Sequence, residues 1–379
     1  MKYAVLGAGL TGLTISRLLS DAGHQVVLYE KNKYEFGGMC YEDKDKRGVT
    51  YSIYGPHIFH TNDEEVWQFV NKHCKMIDYN HTVKSITEEG LYNWPINYEV
   101  LKQIFGGNTK EETYANWQKE VEEDRKVFDK NEPDNFETVA IKNIGTKLYN
   151  LFIKTYTTTQ WGRDPKKLPA ELFGRIRVEQ TNSRKFFNDK YVAMARNGFN
   201  DLCSRLMRGI EIVYKEIKYD DLEKLKSKYD RIVSTIPPWI LLNEKPLDMI
   251  KINFVNFEDT KDVDLLDMIE IMNEYDLSVL NFCNNKTYTR MTNYGELYKH
   301  INVKNKYVLE KPGESGIPLY PIRLEENVRK ADNMVLRLRE NHGIVSIGRL
   351  GLYKYINMDQ AIRQGIDTFN ELEGEIKWT

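Results

Sequence analysis

Six residues near the start, Gly7-Ala-Gly9-Leu-Thr-Gly12, limit what this chain can fold into more than any other stretch. The apolar run Tyr3 to Leu6 before them reads as a short buried strand. Leu10 to Ala22 after them has helical spacing, ended by Gly23 at a C-cap position. A second apolar run, Val26 to Tyr29, is a strand that finishes at Glu30, eighteen residues beyond Gly12. This is a βαβ unit with its glycines on the turn from strand to helix. Gly7 permits the tight turn, Gly9 lets backbone approach a pyrophosphate, and Gly12 lets the helix pack close to the strand. The helix start at Leu10 and Thr11 offers unpaired N–H groups and a positive dipole end to phosphates, while Glu30 accepts hydrogen bonds from a ribose. A tight turn without a ligand is the plainer alternative, but strand, helix and acidic residue all stand where a dinucleotide needs them.

The rest of the chain extends this α/β beginning. Asp43 to Arg47 is a polar hairpin tip. From about Tyr98 to Tyr156, charged segments such as Lys119 to Lys130 and few strand signals predict an inserted, mostly helical part. β-branched and aromatic residues over Leu168 to Phe199, and again from Ile250 to about Pro321, predict strands of an antiparallel sheet. Arg231-Ile-Val-Ser and Ile344-Val-Ser read as two further buried strands, and Met358 to Leu372 has helical spacing.

Composition removes several function classes. Lys and Arg number 54 against 56 for Asp and Glu, a net charge of -2, without the basic excess of a nucleic-acid protein. No run approaches the roughly 20 apolar residues of a membrane span, so no membrane insertion is expected. The opening MKYAVLGAGL moves straight into a strand, which gives no signal peptide to remove. The four cysteines include no CxxC pair and the seven histidines no HExxH, so neither a disulfide scaffold nor a metal site is expected. The expectation is a cytoplasmic enzyme of two or three domains within 379 residues.

Lys31 follows Glu30, and Gly37-Gly38-Met39 opens a second close approach of backbone, unless it is only a loop hinge. That continuation resembles FAD proteins of the amine-oxidase-like superfamily more than NAD dehydrogenases. The string Gly55-Pro-His57-Ile58-Phe-His60-Thr61 lacks the partners of a metal site. It resembles the UDP-galactopyranose mutase family, flavoenzymes that interconvert pyranose and furanose forms of a UDP-sugar. Asn93-Trp-Pro-Ile-Asn97, Lys154 to Gly162 (KTYTTTQWG), Tyr288-Thr-Arg290, Leu319-Tyr-Pro321 and Gly348 to Asp359 (GRLGLYKYINMD) resemble further family segments in the right order.

The resemblance implies an α/β fold in three parts. A Rossmann-like FAD-binding domain would take residues 1–80, 198–250 and 330–379, a helical insertion 98–167, and an antiparallel sheet or substrate domain 81–97, 168–197 and 251–329. It implies FAD, active when reduced by an external reductant such as NAD(P)H, with flavin N5 attacking the anomeric carbon of UDP-galactopyranose. A homodimer is also implied. His57, Ile58, Gly38, Met39, Arg349, Asn357, Met358 and Asp359 would serve the flavin, with His60 beside it in catalysis. Tyr156 and Trp161 would stack on the uracil, with Phe152 and Thr157 also among the substrate-binding residues. Arg290, Tyr320 and Tyr355 would hold the diphosphate, and Asn97, Phe186, Asn281 and Asn357 would line the sugar pocket. Core packing is the plainer alternative for Tyr156 and Trp161, and without the family match Arg290 would read as a surface salt-bridge residue.

The sequence departs from the family pattern at Glu179, where an arginine is expected, at Phe186 for a tyrosine, at Thr159 for a lysine and at Asn293 for a glutamate. We expect Arg177 to replace the missing arginine in catalysis, with Glu179 orienting it. Another nucleotide-sugar, such as UDP-arabinopyranose, stays open as substrate. So do a flavin oxidoreductase of the amine-oxidase-like class and a FAD protein without catalysis.

Overall fold

The computed structural model describes residues 1–128, 134–176, 178–179, 181–259 and 265–377. Lys2–Leu6 and Gln25–Glu30 pair in parallel around the helix Leu10–Asp21, the expected βαβ unit. Three later segments complete a parallel five-stranded sheet in the order Glu211–Tyr214, Gln25–Glu30, Lys2–Leu6, Arg231–Ser234, Ile344–Ser346. Such sheets bury both faces, which is why these strands are continuous apolar runs rather than alternating ones. On one face Leu13, Ile15 and Leu19 pack with Phe199, Leu202, Ile362 and Ile366. On the other lie Leu222, Leu225, Tyr229 and Leu338. The last helix, Met358–Lys377, crosses Leu10–Asp21 so closely that a Cβ on Gly365 would stand 2.7 Å from Thr14 Cγ2.

A second sheet has seven strands, in the order Ile317–Pro321, Met249–Asn256, Tyr307–Gly313, Arg290–Asn293, Val279–Phe282, Val83–Thr87, Gly90–Trp94. All its pairs are antiparallel except Val279–Phe282 with Val83–Thr87. The helical part holds Tyr98–Phe105, Lys110–Arg125, Phe136–Ile144 and Thr155–Trp161 around Trp117, Val121, Ala140 and Leu148. Tyr149–Lys154 widens into a π-helical turn just before Thr155–Trp161. Such turns shift the helix face by a fraction of a turn and are frequent at functional sites.

The strands expected over Leu168–Phe199 form only in part. Pro165 and Pro169 lack N–H groups and fix φ, and each starts a short 3₁₀ turn, Pro165–Lys167 and Ala170–Arg175. Among the described residues there, only Tyr191–Ala195 is an extended strand, and it sits between Phe59–Thr61 and Met76–Asp78 in a separate three-stranded sheet. That placement decides the site, because it brings the end of this segment against His60.

Candidate active site

The two large sheets and the helical part enclose one cavity of about 2130 Å³. A pocket for one drug-sized ligand runs to roughly 300–1,000 Å³, so this space is large enough for more than one ligand.

Its floor at the parallel sheet is the glycine turn. Gly7 has φ +99°, and a Cβ there would lie 2.3 Å from Thr235 Oγ1; a Cβ on Gly12 would lie 2.0 Å from the Gly7 carbonyl oxygen. Both positions are closed to any side chain. Gly9 differs: its added Cβ would meet protein only at Gly38 Cα, 4.0 Å away, so that face opens on the cavity. Gly37 bridges to Gly9 and its N–H donates to the Ala8 carbonyl at 2.7 Å, so the second glycine pair packs on the first. Glu30 is held at the strand end, where its carboxylate accepts from Ala8 N at 2.8 Å and Asn32 N at 3.0 Å. Leu10 and Thr11 line the cavity from the first turn of one helix, and Asn357 and Met358 line it from the start of another. Two helix N-termini therefore turn positive dipole ends towards the same space.

Two arginines face it from opposite halves. Arg290 Nε lies 2.7 Å from Glu310 Oε1, on neighbouring strands; the Arg290 side chain is 25% exposed and that of Glu310 only 1%. The pair is close but poorly directed. Neither Glu310 oxygen receives an aligned N–H among the described residues, so the contact is charge against charge. Buried Glu310 opposes the burial that disfavours the charged Arg290 guanidinium and keeps it charged. Arg349 stacks on Tyr355 at 4.2 Å and Tyr320 at 5.1 Å, with its Nε and Nη2 buried and unpartnered among the described residues. Burial pushes the Tyr156 hydroxyl up to about 12, against the opposing pull of Arg290, and raises Tyr320 as well.

The histidines form a third group. His57 Nδ1 lies 2.8 Å from the Gly55 carbonyl. Burial, aided by Arg349 and Arg290, lowers its pKa to about 4. His60 Nδ1 is 2.8 Å from Asp189 Oδ2, and the ring stacks on Phe187 at 4.0 Å. An acceptor-only carboxylate puts the proton on Nδ1 and fixes the tautomer.

Most of the expected residues meet here. Glu30, Lys31, Met39, Ile58, Phe152, Thr157, Trp161, Phe186 and Asn281 all line the cavity. Asn97 does not, and its assignment to the sugar pocket is corrected. It is fully buried, its side chain caps Tyr98–Phe105 by accepting from Val100 N at 3.1 Å, and its amide donates to Ser183 O. Asp359 stands in the first turn of the last helix, off the cavity wall, with Oδ1 buried and unpartnered among the described residues. Gly12 works through packing rather than from the wall. Asn293 is likewise a buried cap, of Tyr294–Leu297, so that departure from the family pattern is not a pocket change. Arg177 lies outside the described residues. Glu179 is not on the cavity wall and accepts from Asn188 Nδ2 at 2.7 Å. The sequence reading passed over Glu310, Asp189, Phe187 and His81. Only Asp189, a carboxylate beside the Phe186-Phe187 run, carried a local signal.

Against known proteins, the profile of the family described as UDP-galactopyranose mutase matches residues 151–355, and that of the NAD(P)-binding Rossmann-like domain matches 5–73. A probable UDP-galactopyranose mutase of Klebsiella pneumoniae is 28% identical over 97% of this chain and 93% of its own length. A dTDP-fucopyranose mutase of Escherichia coli is also 28% identical, over 97% of each chain. In fold, the crystal structure of a reduced UDP-galactopyranose mutase superposes with a TM-score of 0.71 at 16% identity, covering 98% of this chain and 95% of that one.

Proposed function

This chain belongs to the UDP-galactopyranose mutase family of isomerases, and from that premise we propose that it interconverts the pyranose and furanose forms of a UDP-sugar, UDP-galactopyranose first. The observation that carries the reading is the joint cavity. A glycine cradle with two helix N-termini shares one space with Arg290, held on a buried glutamate beside Tyr156 and Tyr320.

FAD fits the first part. The open Cβ direction of Gly9 leaves room for a pyrophosphate, and the unpartnered Nε and Nη2 of Arg349 need an acceptor that an anionic or carbonyl oxygen would supply. Bound and reduced, the flavin supplies a nucleophile, its N5, for the anomeric carbon. The chain does the rest. Arg290 grips the diphosphate and stabilises the charge that grows as it departs, a task for an always-charged fork on a rigid strand. The Tyr156 and Tyr320 hydroxyls, kept protonated by burial, are donors at neutral pH. Asp189 fixes the His60 ring, and Phe186 and Phe187 keep water from the reacting end. The four cysteines are free and buried, which suits a reducing compartment.

A second reading keeps the chemistry and changes the sugar. The E. coli relative named for dTDP-fucopyranose is as similar as the UDP-galactopyranose relative, and the Phe186–Phe187 corner suits a methyl group. Incubating dithionite-reduced protein with each nucleotide-sugar and resolving the products tests both. Furanose in large molar excess over enzyme, without matching use of reductant, is the expected result. Peroxide or a reduced acceptor with no furanose would make the protein an oxidoreductase instead.

A further inference from the structure

A short hairpin, Glu42–Lys44 with Thr50–Ser52, joins two stretches that line the cavity. One is residues 37–40, packed on the glycine cradle, and the other is residues 54–58, which include His57. Two strands of three residues make too little contact to hold a position by themselves. What holds this hairpin comes from the other half of the fold. Segment 294–306 runs from the end of strand Arg290–Asn293 to the start of strand Tyr307–Gly313. Four of its side chains, spaced by four, each reach the hairpin.

Tyr294 Oη donates to the Ser52 carbonyl at 2.9 Å, and Tyr298 Oη to Glu42 Oε1 at 2.7 Å. Asn302 pairs with Thr50 as a neighbouring strand would. Its Oδ1 accepts from Thr50 N at 2.8 Å and its Nδ2 donates to Thr50 O at 2.8 Å, with a further bond to Tyr294 O at 2.9 Å. Lys306 Nζ stands 4.6 Å from the centre of the Tyr51 ring, donates to Asn256 Oδ1 at 2.8 Å and lies 4.0 Å from Asp45 Oδ2. All four side chains are buried.

A buried polar network whose members are matched rigidifies what it joins. This one joins the two halves of the fold beside the reacting end. Ser52 Oγ, on the first rung, is 3.4 Å from His57 Nδ1. Gly55 passes so near the Arg290–Glu310 pair that a Cβ on it would lie 3.3 Å from Glu310 Oε1. The strand that carries Arg290 thus runs directly into the ladder that holds residues 54–58 against it.

We propose that Tyr294, Tyr298, Asn302 and Lys306 are positioning residues, which together fix where the flavin-side stretch 54–58 stands relative to Arg290 and so set the distance between the reacting ends of the two ligands. The proposal rests on the nucleotide-sugar reading above. None of the four lines the cavity, so each ligand keeps its own contacts when a rung is lost. What changes is their alignment, and a misplacement of about 1 Å can slow a reaction roughly 100-fold.

The test compares wild type, Asn302→Ala, Tyr294→Phe and Thr109→Ala as FAD-loaded protein, well below each melting temperature. Thr109→Ala removes the cap of Lys110–Arg125, in the helical part, and is the structural control. Two quantities are read: the single-turnover rate of dithionite-reduced protein on saturating UDP-galactopyranose, and the affinity for UDP. Asn302→Ala, which leaves the Thr50 N–H and C=O unpaired, should slow the single turnover about tenfold or more, with UDP affinity within about twofold and the bound flavin unchanged. Tyr294→Phe, which keeps the ring and drops one donor, should slow it about threefold or more with the same split. Thr109→Ala should not slow it. An Asn302→Ala rate within about threefold of wild type, a parallel loss of UDP affinity, or an equal slowing in Thr109→Ala would each overturn the proposal. If Asn302→Ala yields no soluble protein, Tyr294→Phe decides it by the same split. If wild type converts no nucleotide-sugar, the mutase reading fails separately. The ladder is then decided by the shift of the oxidised-flavin band on adding UDP, which should be smaller in Asn302→Ala than in wild type; equal shifts would overturn it.

Discussion

Removing the Arg290 side chain should harm this protein twice, and unequally from removing Glu310. At 2.7 Å and an effective dielectric near 20, the two charges attract by about 6 kcal/mol before desolvation is counted. Arg290 keeps 25% of its side chain exposed, so water in the cavity can solvate it if its partner is lost. Glu310, at 1%, has no such recourse. Arg290→Ala therefore strands a buried carboxylate, a loss of about 3–5 kcal/mol, whereas Glu310→Gln strands a cation that still sees solvent. Urea titrations of the FAD-loaded protein at pH 7 should rank the variants in that order. Arg290→Met combined with Glu310→Leu should recover much of the stability and none of the activity, because the buried charge is gone and so is the diphosphate contact. Turnover of UDP-galactopyranose should fall by roughly 30-fold to 1000-fold in Arg290→Ala, from about 2–4 kcal/mol of lost charge stabilisation. Arg290→Lys should restore little, since a point charge cannot make a forked contact. If Glu310→Gln is less stable than Arg290→Ala, the pair is not the asymmetric device that its burial describes. If Arg290→Ala turns over within about threefold of wild type, the arginine does not touch the diphosphate.

Three other outcomes follow from the same cavity and its supports. Gly9→Leu should fold, as its Cβ meets nothing closer than 4.0 Å, but should purify colourless; Gly12→Ala, with a Cβ 2.0 Å from the Gly7 carbonyl, should lose soluble protein altogether. Stability should fall with acid, because His57 and His81 have folded pKa values of about 4 and about 3 against an ordinary 6.5. The unfolded chain then takes up protons first, so stability complete above about pH 6.5 drains as pH falls towards the folded values, by up to about 2 kcal/mol per histidine between pH 7 and 5; urea midpoints that do not move over that range would contradict the burial of both rings. Asn97→Ala should lower stability by about 1 kcal/mol through the lost cap and leave the relative kcat/KM of different sugars unchanged, read by thermal melts and substrate competition.

What the sequence made legible follows physical range. The βαβ unit was readable because a strand, a glycine turn and a helix are contiguous, and their steric needs are local. Arg290, Tyr320 and Arg349 were placed by likeness to the family's segments, and the structure lines one cavity with all of them. The 3₁₀ turns at Pro165 and Pro169 were legible in principle from the prolines, but the aromatic content of Leu168–Phe199 outweighed them. Asn97 misled for a related reason: an asparagine in a family segment invites a ligand role, while its position before Tyr98–Phe105 is that of a helix cap. Glu310 and His81 were out of reach. Each gains its meaning from a partner on another strand or loop, Arg290 twenty positions away and Ser278 nearly two hundred, and no local pattern records such pairings.

On the proposed function, those pairings explain how a chain of net charge -2 can offer sites for two anions. Arg290 comes from the seven-stranded sheet and Arg349 from the segment after the last parallel strand, so each half of the fold brings one cation to the shared cavity. They are kept apart by how each is held. Arg290 leans on a buried carboxylate, which neutralises part of its charge and fixes its position. Arg349 leans on the faces of Tyr320 and Tyr355, which fix its plane and leave two of its nitrogens unpaired. Tyr320 is common to both systems, since it carries Arg349 on its face while Arg290 opposes the burial that raises its phenol. Two ligands with separate diphosphates need this kind of arrangement. A single pooled patch of cations would bind either diphosphate in either place, whereas on the proposed function two cations with different supports, one on each half of the fold, would give each anion its own seat and hold the reacting ends together between them.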